Sequence, residues 1–388
     1  MPVPLPTSET VDLTRPSAEE AQRYADGIAT AVAGAEGLLP VQRSLILALF
    51  PAMTGYTVNL EDRAPIGPQE LAAGLARRNL GFRTRVVQMM LLCALVRHPI
   101  PLDVAAAVAA FASEVGVEED MVRVAQEFAA GSLELAATDF ERNGYTKAMN
   151  AETATAAMHE TRPLKAAWEF SVNDSDLAAQ WEALGSLPPD TIGRKVWEMY
   201  EARGFSYPGA PDSAPPLLCQ HDWVHVLADY GTTVESEVEV FGLIARANDD
   251  MHAFSLLAMV ISLFETGYLP TGAGLFQSSV GHFSGTPGMA VRLSDAMRRG
   301  ALCHDNETDS DSIDYLTMDW LSLADQPVEK LRARFSLVPK SEEAVAAGSV
   351  GPWEKGGISP FQMKMGRDAA ERRGRPYHAH GASVADEG

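Results

Sequence analysis

The sequence predicts an all-α protein. Apolar residues recur at three- and four-residue intervals through most of the chain, β-branched alternation of the strand type is nearly absent, and several periodic runs stop at Gly or Pro, as at Gly37, Pro99, Pro101 and Gly204. At 388 residues the chain has room for two ordinary domains and a tail, taking roughly 150 residues per domain. The expected architecture is two helical bundles followed by an extended C-terminal tail.

Residues 1–16 carry four prolines and few large apolar groups, and read as a flexible lead-in. An N-terminal bundle then spans 17–142, with helices expected over 19–35, 39–53, 67–78, 81–98, 102–117 and 118–142. Gly67-Pro68 opens the third, and the fourth cannot pass Pro99 because proline lacks the amide proton and clashes with the preceding turn. Residues 143–165 are polar and rich in small residues, which marks a linker. A second bundle spans 166–337, with helices over 166–185, 190–204, 219–230, 233–250, 252–267, 287–300 and 315–335. Asp190 is a candidate cap for one of these and Gly204 its stop. From 338 to 388 Gly, Pro and charge dominate, giving a tail strapped to the body through Trp353 and Phe361.

The formal charge of −21 argues against non-specific binding to nucleic acid or anionic lipid. Three cysteines (Cys93, Cys219, Cys303) without C-x-x-C spacing fit a reducing compartment. The first residues show neither an apolar signal core nor an Arg-rich amphipathic stretch, so a cytoplasmic location is expected. The longest apolar run, 253–264, has 12 residues against the ~20 a spanning helix needs, which leaves at most peripheral membrane contact. Apolar helical faces leave a homodimer open.

Chemistry gathers in "QHDWVHVLADYGTTVESEVEV", residues 220–240. His221 and His225 are four apart and project from one helix face, with Asp222 on its flank. Gly231-Thr232-Thr233 breaks the helix, and Glu237 falls about one turn into the next one, from which it can point back at the histidines. Two imidazoles with up to two carboxylates suit zinc, manganese or iron better than magnesium or calcium. Asp229, Glu235 and Glu239 read as a solvated face beside this set. With all four groups bound, zinc would be closed and structural; with Asp222 behind a histidine, a coordination position opens.

These residues resemble the His-Asp-x-x-His-x11-Glu signature of the Coq-four family of ubiquinone-biosynthesis proteins. "LGSLPPDTIGRKVWEMYEARGF" (184–205) is similar to that family's upstream segment. "AMRRGALC" and "YLTMDWLSLADQPVEKLRARFSL", within 296–337, are similar to its C-terminal end. The resemblance implies a divalent metal, zinc in the family, held by His221, Asp222, His225 and Glu237. It further implies an all-α domain with an apolar cavity beside the metal, walled here by 252–277. The implied activity is oxidative-decarboxylation chemistry on the aromatic head group of a hydrophobic quinone or isoprenoid-like compound. A lipid-binding scaffold that gathers other biosynthetic enzymes is the non-catalytic alternative. About 180 residues precede the resembling region and about 50 follow it, and the acidic insert 303–315 interrupts it; these departures leave a branch acting on another quinone, aromatic acid or isoprenoid equally open. The stretch 86–122 resembles TerB-like helical domains.

Other groupings point less far. His221-Asp222 evokes an HD-type phosphohydrolase, but the spacing to Glu237 does not suit one. Asp309, Asp311 and Asp314 lack the glycine and glutamate of a calcium loop. "TGAGLFQSSVG" (271–281) follows no strand, and no nucleophile elbow is present. His252 and His282 stand as candidates to line the metal cavity, and "RPYHAHG" as a tail segment.

Overall fold

The computed structural model describes residues 16–61, 63–97, 101–117, 142, 173–211, 213–214, 216, 218–248, 251–266 and 281–385. The lead-in before Pro16, the helix expected over 118–142 apart from Arg142, the linker 143–165 and residues 267–280 lie outside these residues. Among the described residues the chain forms fourteen α-helices, two short 3-10 turns and no strand. The fold is all-α.

The first five helices are α1 (Ala18–Ala33), α2 (Pro40–Thr54), α3 (Pro68–Gly74), α4 (Leu80–Leu95) and α5 (Leu102–Glu114). Their starts follow local chemistry. Ser17 and Glu20 form a reciprocal capping box at α1, Pro40 and Pro68 open α2 and α3, and Asn79 caps α4. Then come α6 (Ser175–Ala183), α7 (Ile192–Arg203), α8 (Gln220–Ala228), α9 (Val234–Ala247), α10 (Met251–Thr266) and α11 (Met289–Ala301). Thr191 caps α7 through its side chain, and Gly204 ends it in the left-handed conformation at φ 70°.

Helix α9 is the centre of the molecule. It packs against α10 on one side and α11 on the other, while α11 reaches α2 and α10 reaches α4. Buried apolar side chains of 18–114 and of 175–337 thereby join one cluster, with Leu49 and Met90 in the same core as Leu243, Leu257 and Leu293. Gly300 lets α11 lie directly on α9, because a Cβ there would overlap the Leu243 carbonyl. Among the described residues no helix is long and apolar enough to cross a membrane.

Residues 315–335 do not form the single helix that their periodicity suggests. A 3-10 turn at Trp320–Leu323 is followed by α12 (Val328–Arg334), which begins after Pro327. The carbonyls between the two are used elsewhere: Ala324 O and Gln326 O accept the amides of Gly193 and Ile192, each at 2.9 Å, at the start of α7. The segment beyond Leu337 is strapped over the body and carries two helices, α13 (Glu342–Ala346) and α14 (Pro360–Arg372). Ser359 and Gln362 form the capping box of α14, and α14 packs on α7.

Candidate metal centre

Helix α8 stops because Asp229 takes the left-handed conformation at φ 61°, its amide returning to His225 O. Gly231 and Thr232 turn the chain, and Thr233 stands at the start of α9. That geometry brings the first turn of α9 against the histidine face of α8. His221, His225 and Glu237 each offer a ligand atom, and these atoms lie within 4.8 Å of one another. Glu237 Oε2 is 3.2 Å from His225 Nε2 and 3.4 Å from His221 Nε2, and all three side chains are at most 1 % exposed.

The histidine tautomers follow from their partners. His221 Nδ1 donates to Leu218 O at 2.5 Å, and His225 Nδ1 donates to Gly231 O at 2.6 Å. A carbonyl oxygen carries no proton, so each Nδ1 is the N–H, and in a neutral ring Nε2 keeps its lone pair. Both lone pairs then face Glu237. Backbone carbonyls in this position are the usual means of orienting metal-binding histidines. Glu237 Oε1 is buried without a hydrogen-bond partner among the described residues. Buried carboxylate oxygens are normally satisfied, so a cation at this point would fill a vacant role. Burial opposes ionisation of Glu237, but the charge and hydrogen bonds of the adjacent imidazoles, where Nε2 carries a proton in place of a metal, outweigh it and hold the carboxyl well below the usual carboxylate range. The donor set fits a divalent ion of the zinc, iron or manganese type.

Asp222 is not brought into this group. Its carboxylate turns to Arg142, which donates to both oxygens at 2.9 Å, and to the Tyr200 hydroxyl at 2.5 Å. Asp222 Oδ1 stands 3.6 Å from His221 Nε2, at the edge of the site. Adjacent residues on a helix point about 100° apart, so Asp222 faces α7 while His221 faces α9. Burial pushes the Asp222 carboxyl up, yet the Arg142 guanidinium brings it below its ordinary value; the same burial, with the Asp222 charge beside it, pushes the Tyr200 phenol well up. The Arg142 cation also lies over the Phe205 ring, 4.6 Å from its centroid.

The acidic neighbours differ from the expected solvated face. Glu239 is fully buried and pairs with Arg292 at 2.5 Å. Glu235 is 22 % exposed and lies 3.4 Å from His282. Only Asp229, 40 % exposed, keeps substantial access to solvent. The reason is the placement of α9 between α10 and α11, which leaves it no free side. His282 is thereby engaged by Glu235 and not by the metal group, while the His252 side chain is outside what the structure describes. Arg142, Tyr200 and the Leu218 and Gly231 carbonyls are the participants that sequence reasoning did not identify. Of these, only Gly231 carried a signal, as part of the helix break.

An open groove of about 810 Å³ lies between α6, residues 207–211, and Arg373 and Arg375. Tyr207 on its wall stacks on Tyr200 with centroids 6.0 Å apart. Both arginines are paired with Glu201, at 2.6 and 3.0 Å, and Glu182 also lines the groove, so it offers little net positive charge. Comparison of the chain with family models, with curated proteins and with solved structures found no match.

Proposed function

We propose that the chain holds a divalent metal ion, zinc in the first instance, through His221, His225 and Glu237. In this reading the ion serves metal-dependent chemistry on the aromatic head group of a hydrophobic, quinone or isoprenoid-like compound. One observation carries the metal part: two Nδ1 atoms tied to carbonyls, two Nε2 atoms facing one buried carboxylate, and all ligand atoms within 4.8 Å. The substrate class rests on the Coq-four-like pattern of 184–337 and on nothing else.

When bound, such an ion supplies Lewis acidity towards a phenol or carboxylate oxygen. The chain's own residues do the rest. His221 and His225 orient through Leu218 O and Gly231 O, and Glu237 brings the negative charge that makes the site selective for a cation. With three protein ligands, an ion held here would keep room for a substrate oxygen. Arg142 and Tyr200 hold both Asp222 oxygens away from the three donor atoms.

A second reading is favoured by burial. Ligands that are 0–1 % exposed are what a structural ion has, and a metal-stabilised lipid-binding scaffold for other biosynthetic enzymes would need no turnover. An HD-type phosphohydrolase is disfavoured, because Asp222 is already committed to Arg142. The His225→Ala variant separates the first two. Under the catalytic reading it keeps its fold and its bound hydrophobic compound, identified by mass spectrometry of organic extracts, and makes no product. Product formation at the wild-type rate by metal-free His225→Ala protein would sink the catalytic reading.

A further inference from the structure

The turn between α8 and α9 is held from outside the two helices. Gly231 C=O and Thr232 N–H belong to one planar peptide unit. Its carbonyl accepts His225 Nδ1–H at 2.6 Å, and its amide donates to Gly357 O at 3.0 Å. The neighbouring amide, of Gly231, donates to Val350 O at 2.8 Å. Residues 350–357 of the C-terminal strap therefore fix the orientation of the peptide that orients a metal-site histidine.

Side chains lock the same turn. Thr232, 1 % exposed, accepts Arg203 Nε at 2.5 Å on its hydroxyl and donates to Gln362 Oε1 at 2.9 Å. Gln362 Nε2 returns a hydrogen bond to Thr232 O at 2.8 Å, and Arg203 also donates to Pro352 O and Gly357 O at 3.0 and 2.9 Å. The backbones meet so closely that a Cβ on Gly231 would lie 2.8 Å from Gly357 Cα, and one on Gly357 would overlap Gly351 O. Arg203, Thr232 and Gln362 come from three separate parts of the chain, and each is fully or almost fully buried.

We infer that Arg203, Thr232 and Gln362 are positioning residues for the metal centre, and that the C-terminal strap sets its affinity by fixing the 231–232 peptide. The inference rests on the metal reading above. It assigns the strap a role that a tail laid on for stability alone would not have.

The test is zinc affinity of the full chain, measured against a competing chromophoric chelator, together with the melting temperature of the metal-free protein. Thr232→Val keeps the shape and removes the hydroxyl. We expect its zinc dissociation constant to rise about tenfold, the scale on which supporting groups act at metal sites. Thr232→Ser, which restores the hydroxyl, should bind as the wild type does. Gln362→Met is the companion if Thr232→Val does not fold, and the same rise is expected. A merely structural strap lowers the metal-free melting temperature while leaving zinc affinity at the wild-type value. That result in both variants overturns the inference and leaves the metal reading intact. A wild-type chain that binds no zinc overturns both.

Discussion

His225 and His304 each sit among carboxylates, yet their surroundings differ in every respect that matters for binding. His304 places Nδ1 2.8 Å from Asp311 and Nε2 3.4 Å from Asp309, with those acids 69 % and 98 % exposed. Both ring nitrogens are therefore engaged by exposed, hydrated acids, and water competes for every partner. His225 has Nδ1 fixed by a carbonyl, Nε2 directed at Glu237, and no solvent access. The same residue types give a solvated loop in one place and a convergent donor set in the other. What separates them is constraint by the backbone, which removes the entropy of assembling ligands and withholds competing partners.

The widest test of that contrast is metal content. His225→Ala should lose its bound divalent ion, and His304→Ala should retain it in full, both read by elemental analysis of protein prepared without chelators. Equal losses in the two variants would break the distinction. Asp222→Asn comes next. It leaves the largely buried Arg142 without its anion, so we expect about 3 kcal/mol of destabilisation in urea with zinc content unchanged. Loss of zinc from a folded Asp222→Asn protein would instead make Asp222 a ligand.

Glu237→Gln tests the carboxylate itself. It removes the anion that the two imidazoles hold ionised, so the stability contributed by this depressed carboxyl is lost. In urea titrations of the metal-free chain near neutral pH the variant should be less stable by about 1–3 kcal/mol, and it should no longer bind the metal.

The smallest effect belongs to the loop that carries His304. Arg334 hydrogen bonds to Asp305 bring its carboxyl from 3.8 down to about 2. A depressed folded-state pKa contributes stability that is present above the unfolded value and disappears as pH falls through the folded one. The wild type should exceed Asp305→Asn by about 1 kcal/mol or less near neutral pH, and the gap should close between about pH 4 and pH 2. Urea titrations of both proteins across that window would show it.

The helix face shared by His221 and His225 is legible because four residues make about one turn. Glu237 is legible because Gly231-Thr232-Thr233 announces a break and a return. Asp222 is the case where local spacing stops being informative: its direction is settled by Tyr200 and Arg142, which lie 22 and 80 residues away. The burial of Glu239 is hidden for the same reason, since its partner Arg292 lies on another helix. The strap over 350–357 was foreseeable from Trp353 as a tail laid on the body. Its grip on the 231–232 peptide depends on hydrogen bonds between residues more than 100 apart, for which a local pattern has no signature.

X-ray absorption at the zinc edge of the loaded wild-type chain tests the central claim most directly, because it reads the ligand atoms themselves. The account predicts two imidazole nitrogens and at least one carboxylate oxygen at about 2.0–2.2 Å, and no zinc-edge signal from His225→Ala protein prepared in the same way. A thiolate sulfur near 2.3 Å, fewer than two imidazoles, or a spectrum unchanged by His225→Ala would contradict it.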